Sequence, residues 1–235
     1  MTLLTRTAWG KTFGLEVPDE LVAEAEERMP FGSGPAETKP ERTWAVASTA
    51  HLDLVIGELE LWVAEHAVGF VFVHAGCVAV DGRAIVIPGR TMSGKSALVA
   101  ALVGLGATYY SDEYAAIDRE GRVHPYARPL SIRSPDGMVR RTPIAELNGT
   151  AGVEPVRIGL VAQVRFDAES GWSLEELSPG QVALALIDNT VPAQTRPVEV
   201  MDHLQAATDG ARGLRGTRGD AAEAAQDLLR LLRSD

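Results

Sequence analysis

The stretch Arg83-Ala84-Ile85-Val86-Ile87-Pro88-Gly89-Arg90-Thr91-Met92-Ser93-Gly94-Lys95-Ser96-Ala97-Leu98-Val99-Ala100-Ala101-Leu102-Val103 decides how this chain is organised. Its apolar opening predicts a strand, its glycine-bounded middle a loop, and 96–103 a helix that stops at Gly104 and Gly106. A loop that enters a helix N-terminus offers several backbone N–H groups and a favourable dipole to one anion. Gly89, Gly94, Lys95 and Ser96 stand at the G-x-x-x-x-G-K-[ST] spacing of a phosphate-binding loop. In that spacing the lysine pairs with the β- and γ-phosphates, and the Ser96 hydroxyl coordinates magnesium. Gly89, Arg90, Thr91, Met92, Ser93, Gly94, Lys95, Ser96 and Ala97 are therefore the predicted nucleotide-binding residues, with ATP and Mg2+ as the expected cofactors. Only three of the 22 basic residues are lysines (Lys11, Lys39, Lys95), so a lysine in this loop is less easily incidental.

Upstream, Val78-Ala79-Val80-Asp81-Gly82-Arg83 places Asp-Gly between two apolar runs and predicts a hairpin whose second strand feeds the loop. Downstream, Thr108-Tyr109-Tyr110-Ser111 returns as a strand with Asp112 and Glu113 at its carboxyl end, where open α/β sheets carry ligand groups. Further strands are expected at 114–118, 122–126, 129–133 and 156–166. The tail reads as helices at 178–188, 197–208 and 220–233. Residues 1–48 read as a small N-terminal appendage with a helix from Pro18 to Met29, a glycine- and proline-rich loop at 30–35, and a strand near Thr43-Trp44-Ala45-Val46-Ala47. A dense apolar helix from His51 to His66 follows, and 49–235 is taken as the catalytic domain. The fold class is α/β.

Composition narrows the partners. At 235 residues, 46% hydrophobic and 23% charged, the chain is long enough for a sizeable core and unlike disordered or collagen-like sequences. A formal charge of -10 argues against general attraction to nucleic acid or to an anionic membrane. No stretch is apolar enough for a membrane helix, and the start lacks a signal peptide's apolar run, which leads to a cytoplasmic expectation. The single cysteine, Cys77, sits in an apolar run and is read as core.

A phosphate loop serves GTPases, transport ATPases and kinases alike, so its neighbours must choose. There is no Asn-Lys-x-Asp run for reading guanine. Leu177-Ser178-Pro179-Gly180-Gln181 is only distantly like the signature loop of transport ATPases, and Ser178 reads as a helix N-cap. His74-Ala75-Gly76-Cys77-Val78-Ala79-Val80, the glycine loop and Ser111-Asp112-Glu113, taken in that order, resemble the catalytic domain of the HPr kinase/phosphorylase family. The resemblance is strongest to its shorter relatives found with peptide-modifying systems, and covers about residues 70–135. It implies a P-loop kinase core of HPr-kinase / PEP-carboxykinase-like type with C-terminal helices, and self-association.

The resemblance further implies that Asp112 is the base receiving the proton of a substrate hydroxyl, with His74 beside it, Lys95 on the phosphates, and Ser96 and Glu113 as the magnesium residues. Glu113 stands where the family has a second aspartate. In Leu130-Ser131-Ile132-Arg133-Ser134 the arginine is kept as a phosphate-binding candidate, while Ser131 replaces a metal-associated glutamate, which argues against a reverse, dephosphorylating activity. The expected reaction is transfer of the γ-phosphate of ATP to a serine or threonine hydroxyl of a small protein or peptide. A small-molecule hydroxyl, such as free serine or a sugar, and a non-catalytic ATP-binding regulatory module remain the alternatives. Two arginine groups are read by position: Arg140-Arg141 in a loop-like flap at 134–152, and Arg212, Arg215 and Arg218, interleaved with glycines, as a solvated turn.

Overall fold

The computed structural model describes residues 1–90, 92–133, 138–169 and 171–234, and divides the chain into two compact units, Met1–Phe70 and Val71–Asp235. The division falls later than position 48 because the long helix after Ser48 shares its core with the strands before it. In the first unit, β1 (Thr2–Ala8) and β2 (Lys11–Val17) form an antiparallel hairpin around Trp9-Gly10, both at positive φ. A 3-10 turn at Asp19–Leu21 and α1 (Val22–Glu27) stand where one longer helix was expected. β3 (Gly34–Pro35) and β4 (Arg42–Ala45) complete a sheet of order β3-β1-β2-β4. α2 (Thr49–His66) starts at Ser48, whose hydroxyl accepts the His51 N–H at 3.4 Å. It buries Leu52, Val55, Ile56, Leu59 and Val63 in one cluster with Leu4, Phe13, Leu15 and Val17. Those helix positions recur at three- and four-residue steps, which keeps them on one face.

The second unit begins with β5 (Phe70–Val80) and β6 (Arg83–Pro88), antiparallel around Asp81-Gly82 with both turn residues at positive φ. The phosphate loop leads from β6 into α3 (Lys95–Gly104), and β7 (Thr108–Ser111) returns to pair with β5. β8 (Tyr114–Asp118) and β9 (Arg122–His124) form the next hairpin, and β10 (Leu130–Arg133) pairs with β11 (Val139–Thr142) in a small separate sheet. β12 (Val156–Phe166), β13 (Ser173–Leu177), α4 (Pro179–Ile187), α5 (Pro197–Thr208), β14 (Arg212–Arg218) and α6 (Ala221–Arg233) complete the chain. The main sheet runs β13-β14-β12-β6-β5-β8-β9, with β6, β12 and β14 parallel, and β9 also pairs with the start of β12.

Alternation along the central strands divides the core. Ile85 and Ile87 of β6 and Leu160 and Ala162 of β12 join Leu98 and Leu102 of α3 and Leu228 and Leu232 of α6. Val86 and Val161, one residue out of phase, join Val182 and Leu186 of α4 and Val200 and Leu204 of α5. A strand's side chains point to opposite faces in turn, so this pattern needs helices on both faces and gives a three-layer α/β unit. Cys77 is fully buried, and burial pushes its thiol well above the ordinary range.

Two readings of the tail and flap are corrected. Residues 212–218 are not a solvated turn: β14 pairs with β12 on one side and β13 on the other, and Arg218 is only 3% exposed. Its glycines admit close neighbours, since a Cβ on Gly216 would meet Ser173 O of β13 at 1.8 Å and one on Gly213 would meet Val182 Cγ2 of α4 at 2.1 Å. Arg140 and Arg141 lie on β11, in register with Ile132 and Ser131, rather than in an unstructured flap. Ser178 is the N-cap of α4 as expected, and its N–H donates to Gln181 Oε1 at 2.9 Å.

Candidate phosphate-transfer site

The loop between β6 and α3 curls around its own lysine. Lys95 is 7% exposed and its ammonium donates to the carbonyls of Gly89 (2.6 Å) and Arg90 (3.0 Å). Burial draws its pKa down, while the charges of Glu113 and Asp112 act in the opposite sense. Gly94 has φ 89°, where a side chain is strained, and a Cβ there would lie 2.5 Å from Arg218 Nη2. Met92, also in the left-handed region at φ 68°, is exposed at the loop's tip. Thr91 lies outside the described residues.

Ser96 opens the helix and its hydroxyl donates to Asp112 Oδ2 at 3.0 Å, tying the loop to the end of β7. Asp112 is 5% exposed and fully engaged. Its Oδ2 also accepts the Ser131 N–H at 3.0 Å, and its Oδ1 accepts the Tyr109 hydroxyl, also at 3.0 Å. Burial raises its pKa above the ordinary carboxyl value, against the three hydrogen bonds that favour the charged form. The turn after Asp112 is held by Ser111, whose hydroxyl oxygen accepts the N–H groups of Glu113 and Tyr114 at 3.0 and 2.9 Å.

Glu113 projects toward His74, whose Nε2 lies 3.3 Å from Glu113 Oε1; the carboxylate is half exposed and the imidazole less so. His74 is fixed through its backbone, its N–H donating to Asn189 O at 2.7 Å and its carbonyl accepting the Gly89 N–H at 3.3 Å. β5 thus carries its histidine directly beside the first glycine of the loop. One cavity of about 300 Å³ is lined by His74, Lys95, Ser96, Asp112 and Glu113, with Met92 and Ile132 as its large apolar walls.

Most of the sequence-predicted residues therefore come together. His74, Met92, Gly94, Lys95, Ser96, Ala97, Asp112 and Glu113 all line the same cavity. Of Arg133 only the backbone is described, in register with Val139. Ser131 lines the cavity too and reaches Asp112 through its N–H, a contact that any residue type would make. Tyr109, Phe166 and the placement of Arg218 beside the loop went unread. Tyr109 stands three residues before Asp112, and that spacing alone carries no signal in a strand; the other two come from distant parts of the chain.

Magnesium suits the oxygens present. Ser96 Oγ and Asp112 Oδ2 are neighbours, Glu113 adds a second carboxylate, and magnesium in nucleotide sites usually takes one or two carboxylates with phosphate oxygens and water. Among the described residues no group of three or more His, Cys, Asp or Glu side chains is arranged to hold a metal by itself. No helix among the described residues is long and apolar enough to cross a membrane.

No family model matches this sequence, and no curated protein matches it. Among solved structures, the fold is similar to the Hpr(Ser) kinase/phosphatase from Coxiella burnetii, with a TM-score of 0.42 and 13% identity, covering 69% of this chain and 95% of that one.

Proposed function

We propose that this chain is an ATP-dependent kinase that transfers the γ-phosphate to a hydroxyl, with a serine or threonine of a small protein or peptide as the acceptor. The observation that carries this reading is the hydrogen bond from Ser96 to Asp112, which joins a phosphate loop to a buried carboxylate inside one cavity. Phosphoryl transfer asks little covalent chemistry of a protein; it asks for positioning and for charge stabilisation. The N–H groups of the loop and α3 hold the phosphates, and Lys95 exchanges its two loop carbonyls for phosphate oxygens. Ser96 and Glu113 would hold magnesium, which would supply positive charge against the transferring group. Asp112 accepts the acceptor's proton as the new O–P bond forms and the bond to the leaving diphosphate breaks. Burial has already raised its pKa, which makes it a better base near neutrality.

A second assignment of the base is favoured by one observation. Asp112 is buried and already on Ser96, whereas Glu113 is half exposed and paired with His74 at the cavity. In that arrangement Asp112 orders the metal side, and Glu113 with His74 takes the proton.

Incubation of the purified protein with labelled ATP, magnesium and a panel of peptides, free serine and sugars tests both. Lys95→Ala is expected to abolish nucleotide binding. Asp112→Asn is expected to bind ATP and lose transfer by a factor on the order of 100 or more, with Glu113→Gln milder. The reverse ranking moves the base to Glu113. Tight ATP binding with no labelled acceptor anywhere in the panel favours a regulatory nucleotide-binding module instead.

A further inference from the structure

We infer that Phe166 and Arg218, at the carboxyl ends of β12 and β14, form a platform on which the base of the bound nucleotide stacks. The inference rests on reading the glycine loop as a nucleotide site. β6 lies between β5 and β12 in the sheet. The groups suited to the reacting end, His74, Asp112 and Glu113, come from β5 and from the end of β7, which pairs with β5. The γ-phosphate therefore points to that flank. An extended nucleotide whose phosphates lie over the loop must leave across the other flank, where the parallel strands β12 and β14 end.

The ring of Phe166 stands on that flank and is tied to the loop. Phe166 is the last residue of β12, is 51% exposed, and donates its N–H to the Ser93 carbonyl at 3.2 Å. A single exposed apolar side chain means little by itself. This one is backed by a buried cation: the Arg218 guanidinium carbon lies 5.3 Å from its ring centroid. Arg218 is anchored by Nη2 to the Gly94 carbonyl at 2.7 Å and by Nη1 to the Gly219 carbonyl at 3.0 Å. The ring is thus held at a set distance from the phosphate loop with half its surface facing solvent. Gly94 ties the two ends together, since it lines the phosphate cavity and accepts from Arg218. A flat π-face at the end of a phosphate cradle fits a heteroaromatic base, and a purine presents the larger face to it.

Equilibrium binding of ATP and of inorganic tripolyphosphate, which has no base, to the full chain tests the platform. Phe166→Ala is expected to weaken ATP about tenfold or more, the scale of base–aromatic stacking, and to leave tripolyphosphate binding unchanged. Phe166→Tyr is expected to bind ATP as the unaltered protein does, because it keeps the ring. The platform is overturned if Phe166→Ala leaves ATP affinity unchanged, or if it weakens both ligands alike, which marks a structural role. If tripolyphosphate binds, depends on Lys95, and matches ATP in affinity, the phosphate site stands and the platform falls. If the unaltered protein binds neither ligand, the nucleotide reading fails and takes the platform with it.

Discussion

Asp112 shows how much of this site is set by residues that do no chemistry themselves. Its Oδ1 is held by the Tyr109 hydroxyl, which also lies 2.9 Å from the Arg128 carbonyl, so the phenol bridges the carboxylate to the segment before β10. Tyr109→Phe removes that donor and leaves the ring's packing in place. A hydrogen bond to a charged group contributes about 1.5–3 kcal/mol, so we expect kcat to fall by about one to two orders of magnitude with ATP affinity unchanged. The sign of the pH effect follows from the charge: the bond favours the carboxylate, so its loss raises the Asp112 pKa further. The acid limb of the kcat profile should then move to higher pH. A profile that stays in place would separate Tyr109 from Asp112. Tyr109 was unread in the sequence because a tyrosine in an apolar strand looks like core, and this one is core as well, with no exposed surface.

At the scale of elements, the β8–β9 hairpin owes its closure to Asp118. This buried carboxylate accepts from the Arg122 N–H at 2.8 Å and Arg122 Nε at 2.9 Å, and lies 2.8 Å from His124 Nε2. Burial pushes its pKa up, but the hydrogen bonds from His124 and Arg122 outweigh it and hold the group below the ordinary carboxylate range. A lowered carboxyl pKa stabilises the fold above the unfolded value, and that contribution is lost as pH falls through the folded one. Asp118→Asn is therefore expected to destabilise the second unit by about 1.5–3 kcal/mol at neutral pH. In urea unfolding the gap should narrow as pH drops below the ordinary carboxyl range; a gap independent of pH would assign the loss to packing. The turn between these strands was legible from the apolar runs on either side. The strand β14 was not, because Arg212-Gly213-Leu214-Arg215-Gly216-Thr217-Arg218 has no apolar alternation and gains strand form from β12 and β13.

Over the whole molecule, each unit has its own core. Leu59 of α2 is fully buried with Phe13 and Leu15, and Leu102 of α3 is fully buried with Ile85 and Leu228. Leu59→Ala should cost about 2–5 kcal/mol by transfer and cavity terms. Amide hydrogen exchange should then rise in β1, β2 and α2 and stay unchanged in α3 and β6. Faster exchange throughout the chain would mean that the two units unfold as one. The contact boundary at Phe70 lies later than the expected position 48, since an apolar helix seen in sequence does not say which sheet it covers.

Sequence alone determined the strand, loop and helix around Gly89–Ser96, the hairpin before it, and the carboxylate pair Asp112-Glu113 after the next strand. Each depends on residues a few positions apart, where backbone geometry converts spacing directly into proximity. Tertiary structure decided that Ser96 meets Asp112, that Tyr109 and Ser131 hold that carboxylate, and that Arg218 reaches Gly94 across 124 residues of chain. Those contacts exist only where the order of strands in the sheet brings separate ends together, and no local pattern of side chains specifies that order.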